Sequence, residues 1–212
     1  MKTVRTELIN RYIAQLIPAL GGVRKPPDAQ ELRAHFAHKR YAEMVRIIKE
    51  HLKLDMWLRV GFVKNNVGPK NAPAWILTPE GFPLYGTPEF KNLRVTMYIR
   101  NAFLAHAPFE TVVIAIAHEL THVVLRAIAH PLRAEEEAVD LAAMILGYTD
   151  FYMQGCRYEE RISEKITHSW WQKLLGRARV VPYKEIRLMR IGYLSPQEVY
   201  YATGLLKKHV PA

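Results

Sequence analysis

Residues 112–125 read Val112-Val113-Ile114-Ala115-Ile116-Ala117-His118-Glu119-Leu120-Thr121-His122-Val123-Val124-Leu125. At helical period the apolar side chains surround the axis on every side, the pattern of a helix sunk in a core rather than laid on one. His118, Glu119, Thr121 and His122 interrupt the run too closely for it to span a bilayer. The same residues set the fold a problem. A buried carboxylate and two imidazoles are costly unless they are paired, protonated or bound to a cation. His118 and His122 stand at i and i+4, on one helix face and within reach of one metal ion, with Glu119 on the adjacent part of that face.

Working outward, helices are expected over residues 108–130 and 132–146, with Pro131 at the break and Gly147 as the C′ residue of the second. The second contains Arg133-Ala134-Glu135-Glu136-Glu137-Ala138-Val139-Asp140, and its packed side is set by Ala138, Leu141, Ala142, Ile145 and Leu146. Glu136 and Asp140 share a neighbouring face at i and i+4. Zinc held by two histidines needs a third protein ligand to keep an open catalytic geometry, and Glu136 can supply it. Asp140 can accept the second N–H of a ligating histidine and so fix its ring. Glu135, Glu137, His130 and Asp140 itself are rival third ligands, His130 standing at the helix end beside Pro131.

Upstream, residues 93–99 alternate Leu93, Val95, Met97 and Ile99 against Arg94, Thr96 and Tyr98, and residues 56–62 alternate Met56, Leu58, Val60 and Phe62. Both read as half-buried strands, with a short third strand at residues 75–77 among prolines. Residues 3–20 read as an amphipathic helix ended by Gly21-Gly22, and Asp28 with Glu31 as a capping box for a helix reaching about Leu52. Beyond Tyr148 an aromatic and basic stretch precedes a strand near residues 187–191 and a last helix capped by Ser195-Pro196-Gln197-Glu198. The expected fold class is therefore α+β. A small mixed or antiparallel sheet packs on the HExxH helix and a second ligand-bearing helix, with helical additions at both ends. One domain, 1–212, is expected: a helical N-terminal segment 1–55, a core 56–148, and a C-terminal segment 149–212 that either covers the cleft, leaving the protein latent, or does not.

The 212-residue chain is 50% hydrophobic and 24% charged, which excludes a disordered chain and allows a sizeable core. Its one cysteine, Cys156, excludes an internal disulfide and a multi-thiolate metal site; with no base paired to it in the sequence, it reads as inert. The N-terminus lacks the continuous apolar core and cleavage site of a secretory signal, so a reducing, cytoplasmic location is expected, with no membrane partner. The net charge of +10 attracts acidic partners. Arg177, Arg179, Lys184, Arg187 and Arg190 nevertheless alternate with apolar residues as on a solvated face, and Trp170 and Trp171 read as packing residues, so nucleic acid is a minor expectation. Nothing in the sequence speaks to oligomeric state.

The HELTH pentad, followed on a second helix by Glu136 and four residues later by Asp140, resembles the thermolysin-like gluzincin metallopeptidases. The resemblance covers about residues 93–148 and is closer in scale to minimal single-domain gluzincins. It implies a zincin-like fold and one zinc per chain, held by His118, His122 and Glu136. It further implies Glu119 as general base, Asp140 as the partner of His118, and hydrolysis of peptide bonds in a protein or peptide substrate. The strand at residues 93–99 is similar to the edge strand along which an extended substrate pairs in such enzymes. Two departures stand out: only thirteen residues separate His122 from Glu136, and Glu135 occupies a place where asparagine is common. Metzincins are excluded, since Ile128 stands where their third histidine would fall and Leu125 where their glycine would. The transition-state donor is open among Tyr148, Tyr152, His168 and Tyr193. The alternative is a catalytically silent zinc scaffold serving as a protein- or DNA-binding regulatory module; a DNA-associated protease would use the charge.

Overall fold

The computed structural model describes residues 4–69, 72–79, 81–163 and 184–209. The N-terminal helix, α1 (Thr6–Leu20), buries Ile9, Tyr12, Ile13, Leu16 and Leu20 on one face, and Gly21 ends it in the left-handed region at φ 75°. Asp28 caps α2 (Ala29–Ala37) by accepting from the Gln30 and Glu31 N–H groups at 2.8 and 3.2 Å. The helix expected to reach Leu52 is in fact two. At Lys39, φ 55°, the Arg40 N–H bonds the His35 carbonyl and the Lys39 N–H the Phe36 carbonyl, the paired bonds of a Schellman ending. Glycine usually carries that conformation, so a lysine there gives no stop signal. The second piece, α3 (Tyr41–His51), buries Met44, Val45, Ile47 and Ile48.

Three strands come next in the chain: β1 (Trp57–Val63), β2 (Ala74–Leu77) and, after the short α4 (Pro88–Asn92), β3 (Arg94–Arg100). The sheet is mixed, in the order β1–β3–β2, with β1 parallel and β2 antiparallel to β3. Val95, Met97 and Ile99 are buried as the alternation predicts, and Tyr98 on the other face stacks on Trp75 at 5.3 Å. One expectation is corrected here. The strand read at residues 93–99 is the centre of the sheet, not its edge, because alternation reports a buried face and says nothing of which sides are paired.

After α5 (Asn101–His106), the long helix α6 (Phe109–Ala127) runs through the core, packed against β2 and α3. It also packs on α7 (Glu136–Ala143) and on α8 (Thr149–Gly155). The ligand-bearing helix thus begins at Glu136 rather than near Leu132, residues 130–135 making turns. Residues Met144–Tyr148 join α7 to α8 across a kink at Gly147. Gly147 breaks the helix as predicted: its φ is 108°, and a side chain there would meet the Lys25 carbonyl. The chain re-enters helix at once, which the sequence pattern does not anticipate. Downstream, β4 (Arg157–Ser163) and β5 (Lys184–Arg190) pair antiparallel; β5 overlaps the expected strand, and β4 is its unforeseen partner. The last helix, α9 (Pro196–Leu206), starts on the predicted capping box, Ser195 and Glu198 each accepting from the other's N–H. His168, Trp170, Trp171, Arg177 and Arg179 lie outside the described residues. Among the described residues no helix is long and apolar enough to cross a membrane.

Candidate metal centre

Burial of α6 on nearly all sides fixes the direction of its few polar side chains. His118 and His122 lie one turn apart with ring centroids 4.9 Å from each other, and the Nε2 atoms of both stand 3.2 Å from the same atom, Glu136 Oε2. One ligand atom from each of the three residues falls within 4.8 Å of the other two, so the group could hold a metal ion; among the described residues it is the one such cluster. Glu136 arrives there because it opens α7, which packs directly on α6.

Asp140, one turn further along α7, is fully buried and collects four donors. Its Oδ1 accepts from His118 Nδ1 and the Tyr152 hydroxyl, each at 2.8 Å, and its Oδ2 accepts from the backbone N–H groups of Tyr193 and Leu194 at 2.5 and 3.1 Å. An acceptor at Nδ1 assigns the donating proton of His118 to that nitrogen, so the lone pair of Nε2 faces a carboxylate oxygen. Two lone pairs at 3.2 Å need a cation between them. Burial alone would lower His118, but its hydrogen bonds to Asp140 and Glu136 hold it protonated up to about 10. Hydrogen bonds from His118 and His122 in turn hold the Glu136 carboxyl down to about 2. The proton that reconciles these groups occupies the place a divalent cation would take, and two imidazoles with one carboxylate are a donor set that suits zinc.

None of the rivals Glu135, Glu137 and His130 belongs to the cluster. Glu137 pairs with Arg5 at 2.6 Å, and Glu135 is exposed at the cap of α7. His130 is buried, and its Nδ1 accepts from the Leu132 N–H at 3.1 Å. Glu119 is half-buried beside the cluster; burial raises its carboxyl above the usual carboxylate range, against the pull of His118 and His122, and the Ile76 backbone N–H is directed at it. β2, which has no strand on its outer edge among the described residues, is therefore the strand that borders Glu119.

The three donor candidates among the described residues differ in what their rings and hydroxyls meet. Tyr148 is buried with its hydroxyl against His51 Nδ1 at 3.0 Å, and the Tyr152 hydroxyl is committed to Asp140. Tyr193 stacks on the His118 ring at 5.8 Å with 21° between planes, and burial together with Glu136 and Glu119 raises its phenol, keeping it a donor. His168 lies outside the described residues. The grip of Tyr193 and Leu194 on Asp140 was not foreseen. Its one sequence trace is Gly192, which has φ 82° and where a Cβ would stand 2.9 Å from Asp140 Oδ2. No protein-family model, no curated protein and no solved structure matches the chain.

Proposed function

We propose that the protein is a cytoplasmic, zinc-dependent peptidase of gluzincin type on a zincin-like fold, binding one zinc per chain through His118, His122 and Glu136. The observation that carries this reading is the convergence of both Nε2 atoms on Glu136 Oε2, with Glu119 beside them and Asp140 behind His118. Bound zinc would polarise a scissile carbonyl and acidify a water molecule. Glu119, made more basic by burial, takes up the proton from the attacking water and returns it to the leaving amine nitrogen. Asp140 keeps the Nδ1 proton of His118 in place, so that Nε2 stays available as a ligand. Tyr193 donates its phenolic proton in a hydrogen bond to the oxygen that gains charge. An extended protein or peptide substrate pairs with the outer edge of β2.

The test is elemental analysis with a peptide-cleavage assay. The full-length protein should carry one zinc, Glu136→Ala should lose it, and Glu119→Gln should keep it while abolishing cleavage. Zinc at full stoichiometry with no cleavage by the wild-type protein would leave the same residues as a silent scaffold and favour a binding module.

A further inference from the structure

Between residues 111 and 127 of α6 three side chains reach solvent: Glu119, His122 and Arg126. Their spacing of i, i+3 and i+7 is a single stripe, and it runs beside β2. Two contacts set its register. The Ile76 backbone N–H is directed at the Glu119 carboxylate, and Arg126 Nη1 donates to the hydroxyl of Thr78, the residue after β2, at 2.7 Å. Two strand residues cover about 7 Å and seven helical residues about 10 Å, a difference that an arginine side chain spans. A peptide laid along the outer edge of β2 with its scissile bond at Glu119 would therefore pass Arg126 two to three residues away.

Among the described residues Arg126 carries its charge without an anionic partner, as do Arg100 and Arg133, which donate to backbone carbonyls. Arg5, Arg33 and Arg46 are paired with carboxylates, whereas Arg126 is exposed, its hydrogen bond goes to a neutral hydroxyl, and among the described residues no carboxylate lies within ion-pair distance of it. The Tyr85 N–H bonds the Ala127 carbonyl at 2.8 Å, so the loop carrying exposed Leu84 and Tyr85 abuts the same end of α6. The result is an exposed guanidinium beside apolar surface, a setting that orients a carboxylate and strengthens its hydrogen bonds.

We propose that Arg126 is the specificity determinant of this stripe, binding a carboxylate of the substrate two to three residues from the cleaved bond. The inference rests on the peptidase reading of the metal centre and adds a substrate class to it: peptides bearing an acidic side chain, or a terminal carboxylate, at that position.

Binding is measured by fluorescence polarisation on zinc-supplemented, full-length Glu119→Gln protein. The probes are fluorescein-labelled, C-terminally amidated nonapeptides rich in alanine and valine, with a single glutamate, glutamine or lysine walked along the sequence. Zinc content is determined for every variant as the check that the site has formed. The expected result is about tenfold tighter binding of glutamate over glutamine at one position, weakening with salt. The ratio should fall to about one when Arg126→Ala is added and turn in favour of lysine with Arg126→Glu. The same ratio in all three proteins, no discriminating position, or no peptide binding at all would overturn the assignment. A parallel set with free C-termini separates the two carboxylate sources: an Arg126-dependent gain confined to that set assigns the peptide terminus. Cleavage by the unsubstituted protein is scored separately. Arg126-dependent binding without cleavage would sink the peptidase reading and leave the Arg126 assignment standing, and cleavage without discrimination would do the reverse.

Discussion

Asp140→Asn keeps the shape of the carboxylate behind His118 and removes half of its accepting capacity. Asp140 takes four donors, two on each oxygen, whereas asparagine offers one acceptor oxygen and an NH2 group that donates. Turned toward Tyr193 and Leu194, that NH2 faces two backbone N–H groups that cannot invert. Turned toward Tyr152 and His118, it faces a hydroxyl that can rotate and an imidazole that can move its proton from Nδ1 to Nε2. The second arrangement costs less, and it protonates the atom that points at Glu136. One buried donor left short of an acceptor costs about 1–3 kcal/mol, which should appear in urea denaturation of the metal-free protein. Zinc affinity should fall a further 10- to 100-fold, roughly the effect of losing a ligand's outer partner. Competition against a chromophoric chelator measures this directly. Zinc affinity within about twofold of wild type would refute the coupling of Asp140 to Nε2 and reduce Asp140 to a structural acceptor.

Tyr193→Phe keeps the ring stacked on His118 and deletes the hydroxyl, so zinc content should hold while kcat falls by about a hundredfold; an unchanged kcat would move the donor to another residue. Arg5→Ala removes the bridge to Glu137 and Glu198 at 2.6 and 2.7 Å. Because Arg5 is 43% exposed, screening limits the expected loss to about 1–2 kcal/mol. Burial alone would raise the Glu198 carboxyl, but Arg5 and Ser195 hold it at about 2 against an unperturbed 4.5. Its folded value lies below its unfolded one, so the stabilisation is complete above pH 4.5 and fades as pH falls toward 2. The gap between wild type and Arg5→Ala in urea midpoint should therefore be level from about pH 7 to 5 and close below it; a gap persisting near pH 2 would contradict the assignment. Chelation of metal should leave the helical circular dichroism and a cooperative unfolding transition intact, since apolar burial holds the elements that carry the ligands; loss of the helical signal would show that the metal folds the site.

How legible all this is in the sequence depends on the range of each interaction. His118, His122, Glu136 and Asp140 could be read because their relations are set by helical spacing within two consecutive helices. The Ser195 and Glu198 box was equally local and equally readable. The centre of the sheet was not, since nothing within residues 93–99 says that β1 and β2 flank it on both sides. The Schellman turn at Lys39 escaped because an αL lysine resembles any helical lysine, and α8 escaped because a glycine that stops one helix carries no sign of whether another begins directly after it. Tyr193 could be named as a candidate only for its residue type: its backbone reaches Asp140 across 53 positions of sequence. Of the rivals to Glu136, Glu137 fell by a long-range contact too, its pairing with Arg5.

Those long-range contacts explain how a site drawn from two helices keeps its geometry. On one side, Asp140 fixes the His118 ring, and the N–H groups of Tyr193 and Leu194 fix Asp140. The close approach of that loop needs a residue without a side chain at position 192, which Gly192 provides at φ 82°. On the other side, Arg5 holds Glu137, the neighbour of Glu136, so the first turn of α7 is anchored to the base of α1. The same guanidinium binds Glu198, whose carboxylate also receives the Ser195 N–H one residue beyond Leu194. Arg5 thus links the two anchors, and a displacement of the 192–195 loop would be felt at both His118 and Glu136. The ligand atoms are positioned by groups that need no metal, so binding free energy need not be spent on ordering them. The one thing a cation must displace is the proton that His118 holds against Glu136.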